Sequence, residues 1–275
     1  MSARIFIGET QVDSLPANDR GLAYGDGVFE TMRVEAGELP LWLRHRARLL
    51  EGVDRLGMVL PRGDVIQAHI RDAITGVDTG VLKLLVTRGS GGRGYAPPAV
   101  PVPTWTLALH PLPSTSTSSN GVRLLWCQTR LAVQPALAGI KHCNRLEQVL
   151  ARAECNQAGF DDGLMQSTTG DVVCATAANL LVLREDRWIT PSVDACGVAG
   201  VCRGWLIDQG LVEVVSITAR EVEAADALAL CNAVRGILPV SSLGGTAYHQ
   251  HPALAGLQAQ LALAFPMFKL HKEVA

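Results

Sequence analysis

Gly139-Ile140-Lys141-His142-Cys143-Asn144-Arg145-Leu146-Glu147 is the stretch around which this chain is organised. An apolar lead-in reaches Lys141, and a helical run follows it. Lysine is scarce elsewhere: Lys83 lies inside the apolar run Val81-Leu82-Lys83-Leu84-Leu85-Val86, and Lys269 and Lys272 stand near the end. Arginine does the remaining basic work, and a guanidinium stays protonated and cannot serve as a nucleophilic amine. Lys141 is therefore the candidate for amine chemistry by elimination. A solvated lysine ahead of a helix is the competing reading, and the spacing leaves both open.

The surrounding chain has 275 residues, 48% hydrophobic and 18% charged, with net charge −2. That supports a substantial core, excludes disorder and suggests two domains. No basic surface invites nucleic acid or an anionic membrane, and 5% aromatics leave little for stacking on bases. The start Met1–Gly8 lacks the apolar core and cleavage site of a signal peptide, and no apolar run approaches spanning length, so a cytoplasmic protein without a membrane partner is expected. Seven cysteines without a CxxC pair, odd in number, read as reduced thiols. His249 and His251 flank one glutamine with no Cys or carboxylate set to complete a site, so they read as surface histidines and no metal is expected.

Along the chain, a hairpin over Arg4–Ile7 and Gln11–Val12 is followed by a glycine-rich loop, Asn18–Gly27, and a strand over Gly27–Val34. Apolar spacing at Leu49, Leu50, Val53 and Leu56 predicts a helix over Leu43–Gly57, and a second helix runs over Asp64–Ile74 with Asp64 as its N-cap. The strand Val81–Thr87 is apolar enough to be buried on both faces. It feeds Arg88-Gly89-Ser90-Gly91-Gly92-Arg93-Gly94-Tyr95, which is neither a phosphate loop nor a dinucleotide fingerprint. That loop either brings guanidinium groups to a carboxylate or is a solvated connection.

After the strand Thr104–Leu109, a Pro/Ser/Thr linker at 113–120 divides a small N-terminal α/β domain, 1–112, from a larger C-terminal domain, 121–275, that contains Lys141. In the second part a helix over Asn144–Gln157 turns Leu146, Val149, Leu150 and Ala153 to one face. Strands follow at Gly163–Gln166, Val172–Ala175, Leu180–Leu183 and Arg187–Thr190. The turn Gly197-Val198-Ala199-Gly200 opens a helix whose free N–H groups form either an anion site or an ordinary capped start. Thr218-Ala219-Arg220-Glu221 has capping-box form, and a strand over Ala227–Leu230 leads to Cys231-Asn232-Ala233.

In this order, Arg20-Gly-Leu-Ala-Tyr-Gly-Asp-Gly-Val-Phe29, Arg88–Tyr95, Gly139–Gln148, Ala177-Ala-Asn-Leu180, Gly197–Arg203 and Leu230-Cys-Asn-Ala233 resemble the fold-type IV pyridoxal-phosphate enzymes. That family holds branched-chain and D-amino-acid aminotransferases and aminodeoxychorismate lyase. The runs around Arg88 and Lys141 are most similar to those of its lyase members. The resemblance implies an α+β, two-domain fold, an N-terminal two-layer α/β sandwich and a C-terminal pseudo-barrel, in a homodimer acting on a small molecule. It implies pyridoxal 5'-phosphate as cofactor, with Lys141 carrying it covalently and then moving the substrate's α-proton. Arg48 matches the family's phosphate-binding arginine, and backbone groups of Val201, Cys202 and Ala233 match its other phosphate contacts. Arg93 and Tyr95 stand at the loop positions that hold a substrate carboxylate, with Arg88 in the same loop as its brace. One position departs: Cys174 falls where the family places a glutamate against the cofactor's ring nitrogen. A neutral thiol keeps that nitrogen protonated poorly, which favours the lyase over a transaminase or points to a cofactor-binding homologue without catalysis.

Overall fold

The computed structural model describes residues 3–113 and 121–269. The chain forms two compact units, Met1–Pro113 with Ile140–Arg145, and Ser114–Gly139 with Leu146–Ala275. The expected linker lies, apart from Pro113, outside the described residues. The Lys141 segment departs from its expected place in the C-terminal part, because Ile140–Arg145 packs with the first unit.

The first unit contains β1 (Arg4–Ile7), β2 (Thr10–Val12), α1 (Arg20–Tyr24), β3 (Gly27–Glu35), α2 (Trp42–Arg55), α3 (Gly63–Ile74), β4 (Thr79–Thr87) and β5 (Thr104–His110). Its strands form one antiparallel sheet in the order β2-β1-β5-β4-β3. Strand alternation sends Val28, Met32 and Val34 of β3, with Leu82, Leu84 and Val86 of β4, to one face. There they pack with Leu49 and Val53 of α2 and Ile66, Ile70 and Ile74 of α3, making a two-layer sandwich. The opposite face carries Phe29, Lys83 and Leu85, which are only half-buried. β4 is thus not buried on both faces, as its apolar run suggested; its alternation has one dry side and one partly wet side.

Two local readings also change. The glycine-rich loop contains the one-turn helix α1, because the Asp19 side chain caps it by accepting from the Gly21 N–H at 2.8 Å. Asp19 is held in place by Thr87, whose hydroxyl donates to it at 2.9 Å. Asp64 is not the cap of α3; it sits in the helix's first turn and pairs with Arg62 at the N-cap position.

The second unit contains β6 (Val122–Trp126), α4 (Leu146–Ala158), β7 (Asp162–Gln166), β8 (Val172–Ala175), β9 (Asn179–Arg184), β10 (Arg187–Pro191), α5 (Val201–Asp208), β11 (Glu213–Val215), α6 (Ala219–Glu223), β12 (Ala227–Asn232), β13 (Gly236–Leu243), β14 (Thr246–Ala247) and α7 (Pro252–Ala264). The path β9-β12-β13-β6-β7-β8 closes when β8 pairs with β9 at Cys174 and Asn179, giving a six-strand barrel. Closure removes the exposed edges that an open sheet would carry. Leu124, Leu164, Leu180, Val182, Leu228 and Leu230 form the core of this unit. A second cluster, Cys127, Leu131, Ala151, Cys155, Met165, Val173 and Cys174, joins α4 to β7 and β8.

The apolar face of α4 does not point inward. Leu146, Val149 and Leu150 are exposed, whereas Ala151 and Cys155 are fully buried. α6 has the expected capping box between Thr218 and Glu221. α7 follows His251, whose ring nitrogen accepts from the Ala253 N–H at its start. No helix among the described residues is long and apolar enough to cross a membrane.

Candidate active site

β3 is the last strand of its sheet, so one side of its backbone needs a partner. Ile140–Arg145 supplies it: the Phe29 N–H donates to the Lys141 carbonyl at 2.9 Å and the Cys143 N–H to the Gly27 carbonyl at 2.8 Å. Arg145 braces the segment from behind by donating to the carbonyls of His142 at 2.8 Å and Ile140 at 3.2 Å. Lys141 is thereby held as a short edge strand is held, with its backbone fixed on both flanks.

The Lys141 Nζ lies 4.3 Å from the centre of the Phe29 ring, and Lys83 approaches the same ring at 5.3 Å. Burial, then the charge of Arg48, lowers the Lys141 pKa to about 7; Glu30 opposes this, and Arg145 and Lys83 add to it. An amine so placed is substantially neutral near pH 7, as a nucleophile or base must be. In the cofactor-free protein, competitive labelling with acetic anhydride should therefore acylate Lys141 with a midpoint near pH 7. A midpoint near the ordinary lysine value of 10.5 would refute this environment. The neighbouring His142 is also kept neutral, its pKa lowered to about 4 by burial and then by Arg145 and Lys141.

Behind Lys141 stands a charged group of which sequence reading named only Arg48. Glu30, buried on the packed face of β3, accepts from Arg48 Nε at 2.8 Å and is paired with its Nη2, while His45 Nδ1 lies 2.7 Å from the same carboxylate. Burial would raise the Glu30 carboxyl, yet the hydrogen bonds from His45 and Arg48 hold it below the usual range. Burial likewise pushes His45 down. The strand period and helix spacing contain the signal for this triad: Glu30 falls on the inward parity of β3, and His45 and Arg48 are three apart on α2.

The loop after β4 places its three predicted residues differently. Arg88 is buried and its guanidinium is committed, donating to Asp26 at 2.8 and 3.0 Å and to the carbonyls of Gly57 and Leu56 at 2.7 Å each. These four bonds tie the loop to Asp26 and to the end of α2. Arg93 and Tyr95 are exposed, and the Tyr95 ring lies 5.4 Å from that of Tyr24.

In the second unit, Val201 and Cys202 form the first turn of α5 behind Gly200, and no side chain caps that start. First-turn N–H groups lack intrahelical partners, so such a start suits an anion. The approach to it is close: a Cβ at Gly200 would lie 2.0 Å from Asn179 Oδ1, while Asn179 Nδ2 donates to the Val198 carbonyl at 2.9 Å. Ala233 follows β12 in a turn that Asn232 Oδ1 organises by accepting from Val234 and Arg235 N–H at 3.0 and 2.8 Å. The neighbouring Cys202 thiol and then burial raise the Cys231 pKa, so the α5 start lies against the strand leading into that turn. Cys174 is buried on β8 in the apolar cluster with Met165.

A model of the amino-transferase class IV family matches residues 27–243. The aminodeoxychorismate lyase of Vibrio harveyi is 34% identical over 236 residues, 83% of this chain and 87% of its own. A putative branched-chain-amino-acid aminotransferase of Methanocaldococcus jannaschii is 29% identical over 258 residues, 88% of each. Among solved structures, the 4-amino-4-deoxychorismate lyase of Pseudomonas aeruginosa superimposes with a TM-score of 0.88 at 41% identity, covering 95% of this chain and 99% of that one.

Proposed function

The chain belongs to the amino-transferase class IV family, and from that premise we propose that it is an aminodeoxychorismate lyase, converting 4-amino-4-deoxychorismate to 4-aminobenzoate and pyruvate for folate synthesis. The fold-type IV architecture expected for such an enzyme is the one observed, with a closed barrel and a separate antiparallel sheet. The observation that carries the reading is Lys141, an amine whose surroundings lower its pKa to about 7.

Pyridoxal phosphate, when bound, supplies an electron sink that acidifies the hydrogen on the amine-bearing carbon. Each unit has residues suited to that group. In the first, Lys141 offers a neutral amine to carry it and Arg48 a cation fixed by Glu30; in the second, the uncapped start of α5 and the Ala233 N–H would suit its phosphate. As a neutral amine Lys141 accepts the proton from the amine-bearing carbon. As an ammonium it returns a proton to the departing enolpyruvyl group as the carbon–oxygen bond breaks. The ring becomes aromatic, and the enol product becomes pyruvate. Arg93 and Tyr95 hold a substrate carboxylate, a role that fits two exposed polar side chains on a braced loop.

The proposal includes a cytoplasmic homodimer. The exposed Leu146, Val149 and Leu150 stripe on α4 supports association, since contiguous exposed apolar residues mark interaction surfaces. The test is incubation of purified protein with 4-amino-4-deoxychorismate: release of 4-aminobenzoate and pyruvate without an added keto acid is expected. Keto-acid-dependent turnover alone would favour the second reading, a D-amino-acid or branched-chain transaminase. Cys174 favours the lyase, because an aromatising elimination tolerates a weaker sink than transamination does. Cys174→Glu should raise side transamination several-fold, measured as pyruvate consumption with an amino-acid donor. Unchanged side activity would remove Cys174 from the argument.

A further inference from the structure

Arg20 lies outside every role assigned so far, yet it is only 5% exposed. Its Nε donates to Asp26 Oδ2 at 2.8 Å. Its remaining nitrogens turn to three consecutive carbonyls of the loop after β4: Nη2 donates to Tyr95 at 2.8 Å, and Nη1 to Ala96 at 3.2 Å and Gly94 at 3.3 Å. Asp26 is shared with Arg88, which is anchored in turn to the carbonyls of Leu56 and Gly57. Two buried guanidinium groups on one carboxylate leave a net positive charge beneath the loop, and burial raises the Asp26 carboxyl less than Arg88 and Arg20 lower it. The carboxylate therefore stays charged at neutral pH and the clamp stays closed.

The geometry of the loop follows from this clamp. When three successive carbonyls face inward to one guanidinium, the side chains between them are presented outward, and Arg93 and Tyr95 are exposed. Gly94 makes the turn possible with φ at +83°, a region that side-chain-bearing residues rarely adopt. Tyr24 completes the support: its ring lies 5.0 Å from the Arg20 guanidinium carbon and 5.4 Å from the Tyr95 ring. The planar fork of donors, spread over one carboxylate and three carbonyls, matters here, and an ammonium cannot reproduce it.

We propose that Arg20, through Asp26 and the carbonyls of Gly94, Tyr95 and Ala96, is the positioning residue that sets Arg93 and Tyr95 for a substrate carboxylate. The inference rests on the lyase reading and extends it to residues that do not touch the substrate. Arg20 acts on substrate binding and leaves the chemistry at Lys141 alone, so its loss appears in KM. Displacing a carboxylate-binding pair by an ångström weakens binding by an order of magnitude or more.

The test compares Arg20→Lys and Gly94→Ala with the wild-type protein, all loaded with pyridoxal phosphate, by steady-state release of 4-aminobenzoate and by borohydride capture of the cofactor on Lys141. Gly94→Ala guards against a folding defect, because a Cβ there meets nothing within 4 Å and strains only the exposed loop. Both variants should raise KM about ten-fold or more while kcat changes less than about three-fold and capture is unchanged. Gly94→Ala with an unaltered KM overturns the inference, as does a folded Arg20→Lys that loses kcat or capture with KM unchanged. A wild-type protein that releases no 4-aminobenzoate overturns the reaction itself, and with it the substrate assigned to the loop.

Discussion

Lys141→Ala should lower 4-aminobenzoate release by about 1,000-fold or more, the scale expected for removing a group that moves protons in the reaction. Borohydride capture of the cofactor on the protein should vanish with it. The stability of the variant separates this loss from misfolding. The folded environment lowers the Lys141 pKa from 10.5 to about 7, so the unfolded chain binds the extra proton between those values. Folding stability contributed by this group therefore rises with pH across that window, and below about pH 7 the charged lysine carries its full penalty. At pH 6 the alanine variant should unfold at a denaturant concentration no lower than the wild type. A variant that loses activity and also unfolds earlier at pH 6 would show that Lys141 is a structural residue.

The second large effect concerns the triad behind it. Glu30→Gln removes the carboxylate charge from the Glu30–His45–Arg48 group while preserving its shape, breaking the ion pair that Arg48 makes with it. Breaking a buried ion pair from one side costs about 3–5 kcal/mol. The variant should unfold at a clearly lower urea concentration at pH 7. The pH dependence carries a second signature. Because the folded carboxyl titrates below its ordinary 4.5, its contribution is present above that value and is lost as pH falls through the folded one. The gap between wild type and Glu30→Gln should therefore close in acid. The cation proposed to meet the cofactor's phosphate also loses its anchor, so cofactor affinity should fall. Equal urea midpoints at pH 7 would refute the role given to the triad.

How far the sequence could be read depended on the physical scale of each signal. The helices α2 and α3 and the strands β3, β4 and β12 announce themselves through long regular periods. α1 does not, because one turn between Gly21 and Gly25 has no period to show; only the Asp19 cap marks it. The face that α4 buries is illegible in the sequence for a different reason. Hydrophobicity selects the largest side chains as the inner ones, but α4 meets β7 where a Cβ on Gly163 would lie 2.6 Å from Cys155 Sγ. So close an approach admits Ala151 and Cys155 and turns Leu146, Val149 and Leu150 outward. Lys141 stood out by scarcity, and its role came from resemblance. What made its amine neutral was hidden, since burial and the Arg48 charge depend on which distant strand the segment joins. Arg20 shows the same limit: nothing in Asn18–Gly27 reveals that its guanidinium faces carbonyls of another loop.

The pairing of Ile140–Arg145 with β3 bears on the order in which this molecule can be made. The first unit is assembled from two distant stretches of chain, and the edge of β3 gains its partner only after residue 145 has left the ribosome. Until then, the nascent sheet offers unpaired N–H and C=O groups along Gly27–Phe29, a template on which another chain can add. Such non-local pairing closes late and slowly. The segment that carries Lys141 is thus also the last piece of its own sheet, and the environment that lowers its pKa exists only once that edge has been sealed.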